Sequence, residues 1–251
     1  MGSPRSASVY ADFLLPHLGA DTHLVDVGCG AGELSLELAS KVRQVTGVDG
    51  DAAEIQSARS AATTLSIRNA DFMVGDAYSL PFPDDACTVV LGHSVLEAVD
   101  QPSDLVAEMA GVVRPGGLVA VASVDYGGLI LHGPHQSLVR RFFDIRERLW
   151  LAEGAYPYRG RELRGLLTGN GLTRVEASTK HIPYGTEDAV REFGLGRADD
   201  CVDDWYVEGS RREQLAAPED VAAMREAWLE WSESPTSFAA FAWCRALGWK
   251  A

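Results

Sequence analysis

The most chemically specific spacing in the chain is Asp26-Val27-Gly28-Cys29-Gly30-Ala31-Gly32. Glycines placed two apart let a backbone turn tightly and put no Cβ between it and a ligand. Asp49 stands 17 residues beyond Gly32. At a strand end, a carboxylate in that position accepts both hydroxyl protons of a ribose. A dinucleotide turn carries its third glycine one residue later, so that pyrophosphate rests on the helix N-terminus. Here Glu33 fills the first helical turn. It suits the helix dipole and would compete with a phosphate. The pair Asp26 and Glu33 is better company for a cationic ligand. The turn by itself is also compatible with a tight connection that holds nothing; Asp49 is what turns the reading towards a nucleoside-like ligand.

These residues need elements to place them. Apolar periodicity predicts a leading helix over 9–18, ended or kinked by Pro16 and Gly19, and a buried strand over 24–27. Next come a helix over 33–42, a strand over 45–48 running into Asp49, an Ala-rich helix over 52–63 and a strand over 72–74. Pro81-Phe82-Pro83-Asp84-Asp85 must be loop. A fourth strand over 88–91, a helix over 103–113 with Ser103 as N-cap, a turn at Arg114-Pro115-Gly116-Gly117 and a fifth strand over 118–124 follow. Strands alternating with helices imply a parallel sheet covered on both faces, and the right-handed crossover rule makes it doubly wound. Beyond Val124 the reading is helix over 138–151 and 162–167, strand over 172–182, and helix over 186–231 broken near Gly194 and across 209–218. Residues 238–247 fit strand or helix. The expectation is one domain over 1–251: a ligand-binding core at about 20–125, acceptor-side helical insertions at about 126–235 able to form a lid, and a final element at about 236–250.

Composition narrows the partners. The net charge is −14 and the pI about 4.8, which disfavours nucleic acid and anionic membranes. No stretch approaches the roughly 20 apolar residues of a membrane span. The first eight residues lack a secretory pattern, although Gly2 and Ser6 fit the loose N-myristoylation pattern. Cys29, Cys87, Cys201 and Cys244 form no CxxC pair, so neither a metal site nor a disulfide framework is expected, and a cytoplasmic location fits.

Further motifs follow in order: Val48-Asp49-Gly50-Asp51; Gly75-Asp76-Ala77 with Leu80-Pro81-Phe82; Val89-Val90-Leu91-Gly92-His93 leading to Leu96-Glu97; and Arg114-Pro115-Gly116-Gly117. With the glycine turn these make the stretch 24–124 resemble the class I S-adenosylmethionine (SAM)-dependent methyltransferases, particularly the small-molecule, menaquinone-biosynthesis-like group. The resemblance implies a mostly parallel, seven-stranded Rossmann-like sheet whose seventh strand is antiparallel, which tips 238–247 towards strand. It implies SAM as cofactor, S-adenosylhomocysteine as product, and no metal. It assigns Gly28, Cys29, Gly30 and Gly32, with Asp26, to the methionine portion, Asp49 to the ribose hydroxyls, and Gly50, Asp76 and Ala77 to the adenine. His93, just past the fourth strand, falls near the methyl-bearing sulfur, and Tyr10 lies in the leading helix, which in such folds can close over SAM, with ordinary helix packing as its other reading. The fourth motif lacks the Asn-Pro-Pro-aromatic sequence used on nucleobase or glutamine amino groups, and Ala98 stands where many relatives carry a second histidine.

For the reaction, His93 is the first candidate base, with a non-titrating neighbour of SAM as its other reading. Tyr126 is the candidate for the acceptor pocket. His132 and His135 read better as surface-loop residues. Aromatic density in the second half, without a basic cluster, points to a small apolar or aromatic acceptor, methylated on O, N or C, and to a monomer or homodimer. Two other classes stay open: a SAM-binding protein that does not methylate, and an NAD-type oxidoreductase, which the glycine spacing disfavours.

Overall fold

The computed structural model describes residues 6–251; Gly2 of the myristoylation pattern lies outside them. Seven strands form one sheet: β1 (His23–Val27), β2 (Gln44–Asp49), β3 (Ala70–Val74), β4 (Cys87–His93), β5 (Val113–His132), β6 (Thr173–Tyr184) and β7 (Phe238–Trp249). Their order is β3-β2-β1-β4-β5-β7-β6. The pairs β1/β2, β1/β4, β2/β3 and β4/β5 are parallel. Gly116 N donates to Lys250 O and Lys250 N donates to Gly117 O. The start of β5 therefore lies beside the end of β7, the antiparallel sense. Among the described residues no helix is long and apolar enough to cross a membrane.

Nine helices accompany the strands among the described residues: α1 (Ala7–Tyr10), α2 (Glu33–Leu38), α3 (Ala52–Thr64), α4 (Pro102–Val112), α5 (Gln136–Ala152), α6 (Leu163–Gly169), α7 (Glu187–Asp200), α8 (Asp204–Arg212) and α9 (Pro218–Glu233). The described chain divides into two compact units.

The first unit comprises residues 6–124, Tyr158–Lys180 and Trp243–Ala251. Its central strands β1, β2 and β4 are buried on both faces, as a doubly covered sheet requires. One face packs Val25, Val27, Val90 and Val121 against Leu105 and Met109 of α4 and Leu163 and Leu167 of α6. The other packs Leu24, Val45 and Leu91 against Leu34 and Leu38 of α2 and against Leu14. Between β3 and β4 no helix intervenes; Leu80 and Phe82 of the loop enter the core instead.

The second unit comprises Asp125–Pro157 and His181–Ala242. It is built on aromatic contacts: Phe142 stacks on Tyr206 at 4.8 Å, and Phe143 and Phe193 both meet Trp228. A Cβ on Gly194 would lie 2.9 Å from the Ser232 Cα, so α7 and α9 approach backbone to backbone there.

Four expectations need correction. The helix over 9–18 breaks after Tyr10 and resumes only as a 3-10 turn, Leu15–His17, with Pro16 near its start. Proline has no N–H to continue an α-helical ladder, and its ring disfavours the α conformation for the residue before it. Gln101, not Ser103, is the N-cap of α4, because Pro102 takes the first helical position. Gly194 does not interrupt its helix; the break falls between α7 and α8. The fifth strand does not stop at Val124 but runs through Asp125 and Tyr126 to His132.

Candidate cofactor cleft

Strand register builds the site. Val48 of β2 pairs with Met73, Val27 of β1 pairs with both Val48 and Gly92, and Gly92 pairs with Val121. The next residue along each chain is Asp49, Gly28, His93 and Ala122. Four residues distant in sequence thus share one row at the carboxyl ends of the strands. The row crosses β1/β4, where strand order reverses and ligands of open sheets bind.

Gly28, Gly30 and Gly32 have φ of 71°, 52° and 80°, a region closed to most side chains. Their roles differ. A Cβ on Gly28 would meet Val95 at 2.8 Å, and one on Gly32 would meet Phe72 at 2.8 Å. The nearest atom to a Cβ on Gly30 is a Glu54 carboxylate oxygen at 3.9 Å, so Gly30 presents bare backbone to open space. Gly28 N and Cys29 N both donate to Val48 O. Gly30 N donates to Asp49 Oδ2 at 2.8 Å, and Asp51 N donates to Asp49 Oδ1 at 2.9 Å. The Asp49 carboxylate is therefore oriented by backbone on both oxygens, each of which keeps a lone pair.

Over Gly30 lies a cleft of about 430 Å³ lined by Asp26, Gly28, Cys29, Glu33, Glu54 and His93, among others. Asp26 is buried and accepts the Ser35 hydroxyl at 2.5 Å. Burial raises its pKa to about 7, the Asp49 charge adds to the rise, and Ser35 opposes it. The Cys29 thiol is pushed far above its usual range by burial, then by the charges of Asp26 and Asp49. The cleft is acidic and prefers a cation.

His93 is the last residue of β4 rather than one past it, and it is buried. Its ring stacks on Trp243 of β7 at 4.8 Å and 18°, and Tyr10 meets it edge-on at 5.7 Å. Trp243 was missed by the sequence reading. Ser94, the next residue, has φ 61°. Its hydroxyl donates to Glu97 Oε1 at 2.8 Å, and Ser123 of β5 donates to Glu97 Oε2 at 2.6 Å. Glu97, buried, thus ties the end of β4 to the middle of β5.

The other candidates fall as follows. Gly75 N donates to Asp49 O, which brings Asp76 to the same sheet edge; Asp76 Oδ1 accepts Tyr78 N at 2.9 Å. Ala77 packs on the core, and Gly50 is exposed. Gly32 is the N-cap of α2. In the second unit, Tyr126 lies against Phe143, Trp150 and Phe241; burial holds its phenol above the usual range, against the opposing Arg146 charge. His135 pairs with Glu230 at the surface, and His132 is exposed.

A family model described as "Methyltransferase domain" matches residues 25–121. An uncharacterized methyltransferase of Schizosaccharomyces pombe is 29% identical over 171 residues, 65% of this chain and 60% of its own length. The 2-phytyl-1,4-naphtoquinone methyltransferase of Synechococcus elongatus is 32% identical over 140 residues, 53% of this chain and 55% of its own. Residues 25–121 are thus similar to a methyltransferase domain, and both of these relatives are named methyltransferases. The chain spans about 60% of the length of the first curated methyltransferase relatives it matches. The class I fold is shared with the YcgJ protein of Bacillus subtilis at a TM-score of 0.63 and 17% identity, covering 95% of this chain and 97% of that one.

Proposed function

We propose that this chain transfers a methyl group from SAM to a small, apolar or aromatic metabolite by in-line displacement. The observation that carries the reading is the cleft over Gly30, which combines bare backbone, an oriented Asp49 carboxylate and a buried acid at Asp26. The residues present fit such a ligand. Asp26, Glu33 and Glu54 favour a cation and repel phosphate. Gly28, Cys29 and Gly30 would line the methionine portion, Asp49 would hold the ribose, and Gly50, Asp76 and Ala77 would meet the adenine. When bound, SAM supplies an electrophilic methyl group on sulfur.

The chain's own task is then alignment and exclusion of water, which contributes up to roughly 7–11 kcal/mol in the best intramolecular cases. His93 would accept the acceptor's proton, a role contributing about 10²–10⁴-fold. Tyr126, kept protonated, would donate a hydrogen bond rather than act as a base. The name of the quinone methyltransferase relative supports a ring-bearing acceptor, and the net charge of −14 speaks against nucleic acid. As proposed, the protein works in the cytoplasm as a monomer or homodimer, without a metal or a membrane partner.

Calorimetric titration with SAM and NAD separately tests the cofactor; heat with NAD and none with SAM would sink the reading. Labelled SAM with a panel of aromatic metabolites tests the acceptor, S-adenosylhomocysteine being the expected product. Activity confined to protein or tRNA would overturn the small-molecule assignment.

A further inference from the structure

His93 and Trp243 come from strands that are not neighbours: β5 lies between β4 and β7. Opposite His93, β5 carries Ala122. Residues directly opposite share a face of the sheet, and a methyl group there leaves room for two rings to meet above it. The imidazole and indole planes lie 18° apart at 4.8 Å. Tyr10 stands edge-on to both, at 5.7 Å from His93 and 5.3 Å from Trp243. Both His93 and Trp243 are buried, so the stack is shielded from water.

We propose that Trp243 is a positioning residue for His93, holding the imidazole parallel to its own ring at the cleft wall and favouring the protonated form. The proposal rests on the reading of His93 as the proton acceptor. An indole face attracts an imidazolium through its quadrupole and has no comparable pull on the neutral ring. Other groups around the ring act as well. Asp26 of β1, Glu33 of α2 and Glu54 of α3 share the cleft with His93 and favour its charge, as does Glu97 beside Ser94. The Cys29 thiol is held protonated, and burial of the imidazole opposes charging. The contribution of Trp243 is separable because Asp26, Glu33, Glu54 and Glu97 are not substituted with it.

The test is an NMR titration of the His93 ring in the ligand-free protein, with the signal assigned by its loss in His93→Gln. Trp243→Leu keeps apolar bulk and removes the π face; His93 is expected to titrate about 0.5–1 unit lower. Trp243→Phe keeps a smaller face and should fall between. Labelling the six tryptophans with 5-fluorotryptophan weakens the face with a near-isosteric change; the labelled protein should also titrate lower, which decides the matter if the leucine variant does not fold. His93 titrating within about 0.2 unit of wild type, or higher, in both the phenylalanine variant and the labelled protein would reduce Trp243 to packing. The titration uses neither SAM nor an acceptor. A negative result here leaves the methyl-transfer reading standing, and absence of methylation leaves the stack standing.

Discussion

Gly30 donates its backbone N–H to the Asp49 carboxylate at 2.8 Å, joining the glycine turn to the end of the neighbouring strand. Turn and acid are therefore one unit. Asp49→Ala should weaken S-adenosylhomocysteine binding roughly 10- to 100-fold, the usual range for losing hydrogen bonds to a charged group. Asp49→Asn retains one acceptor oxygen and should lie between. Calorimetry reads both; an alanine variant binding like wild type would detach Asp49 from the ligand.

Gly30 and Gly32 should fail differently. A Cβ at Gly30 finds space, with its nearest atom at 3.9 Å, but it projects into the cleft. Gly30→Ala should cost about 1 kcal/mol of stability for its left-handed φ and lose most ligand affinity. At Gly32 the Cβ collides with Phe72 at 2.8 Å, so Gly32→Ala should lower Tm more than Gly30→Ala does. Equal Tm losses in the two variants would contradict this division.

Asp26 links stability to pH. Its pKa is raised from 3.8 to about 7, so the folded chain holds a proton that the unfolded chain has released. The stability tied to that proton is complete below about pH 4 and is lost as pH rises through about 7. Asp26→Asn removes the dependence. The Tm of this variant minus that of wild type should therefore grow from pH 5 to pH 8. A cationic ligand should also drive the proton off. Binding at pH 6.5 would then release heat that varies with the buffer's ionisation enthalpy in wild type and not in Asp26→Asn.

Glu97 joins Ser94 and Ser123 at 2.8 and 2.6 Å. Glu97→Ala strands two hydroxyls and frees the left-handed Ser94, at a cost of about 1–3 kcal/mol. Glutamine can accept from one serine and donate to the other, so Glu97→Gln should recover most of the Tm. If glutamine is as damaging as alanine, the carboxylate's charge rather than its geometry is what matters.

The glycine turn and Asp49 were legible because their chemistry depends on local spacing and on where a strand ends. The sheet was legible for a related reason: strands buried on both faces read as continuous apolar runs. Contacts between distant segments were not. Glu97 and Ser123 are 26 residues apart, and no local pattern pairs them. Trp243 was hidden because its segment fitted strand or helix equally, which left its facing undefined. The conformational freedom of Gly194 alone suggests a breaker, whereas its place in α7 is set by the Ser232 backbone against it. Tyr126 fell inside a strand because the aspartate, tyrosine and paired glycines before Leu129 resemble a turn and are in fact extended.

Cys29 bears on a hazard peculiar to alkylating ligands. A cleft that takes up an electrophilic methyl group must not be methylated itself, and its floor carries a sulfur. A thiol attacks carbon as its thiolate. Burial and the carboxylates of Asp26 and Asp49 keep that thiolate out of reach at any physiological pH. Burial does most of this and the acidity that favours a cation adds to it, so the turn can keep a cysteine beside an alkylating ligand.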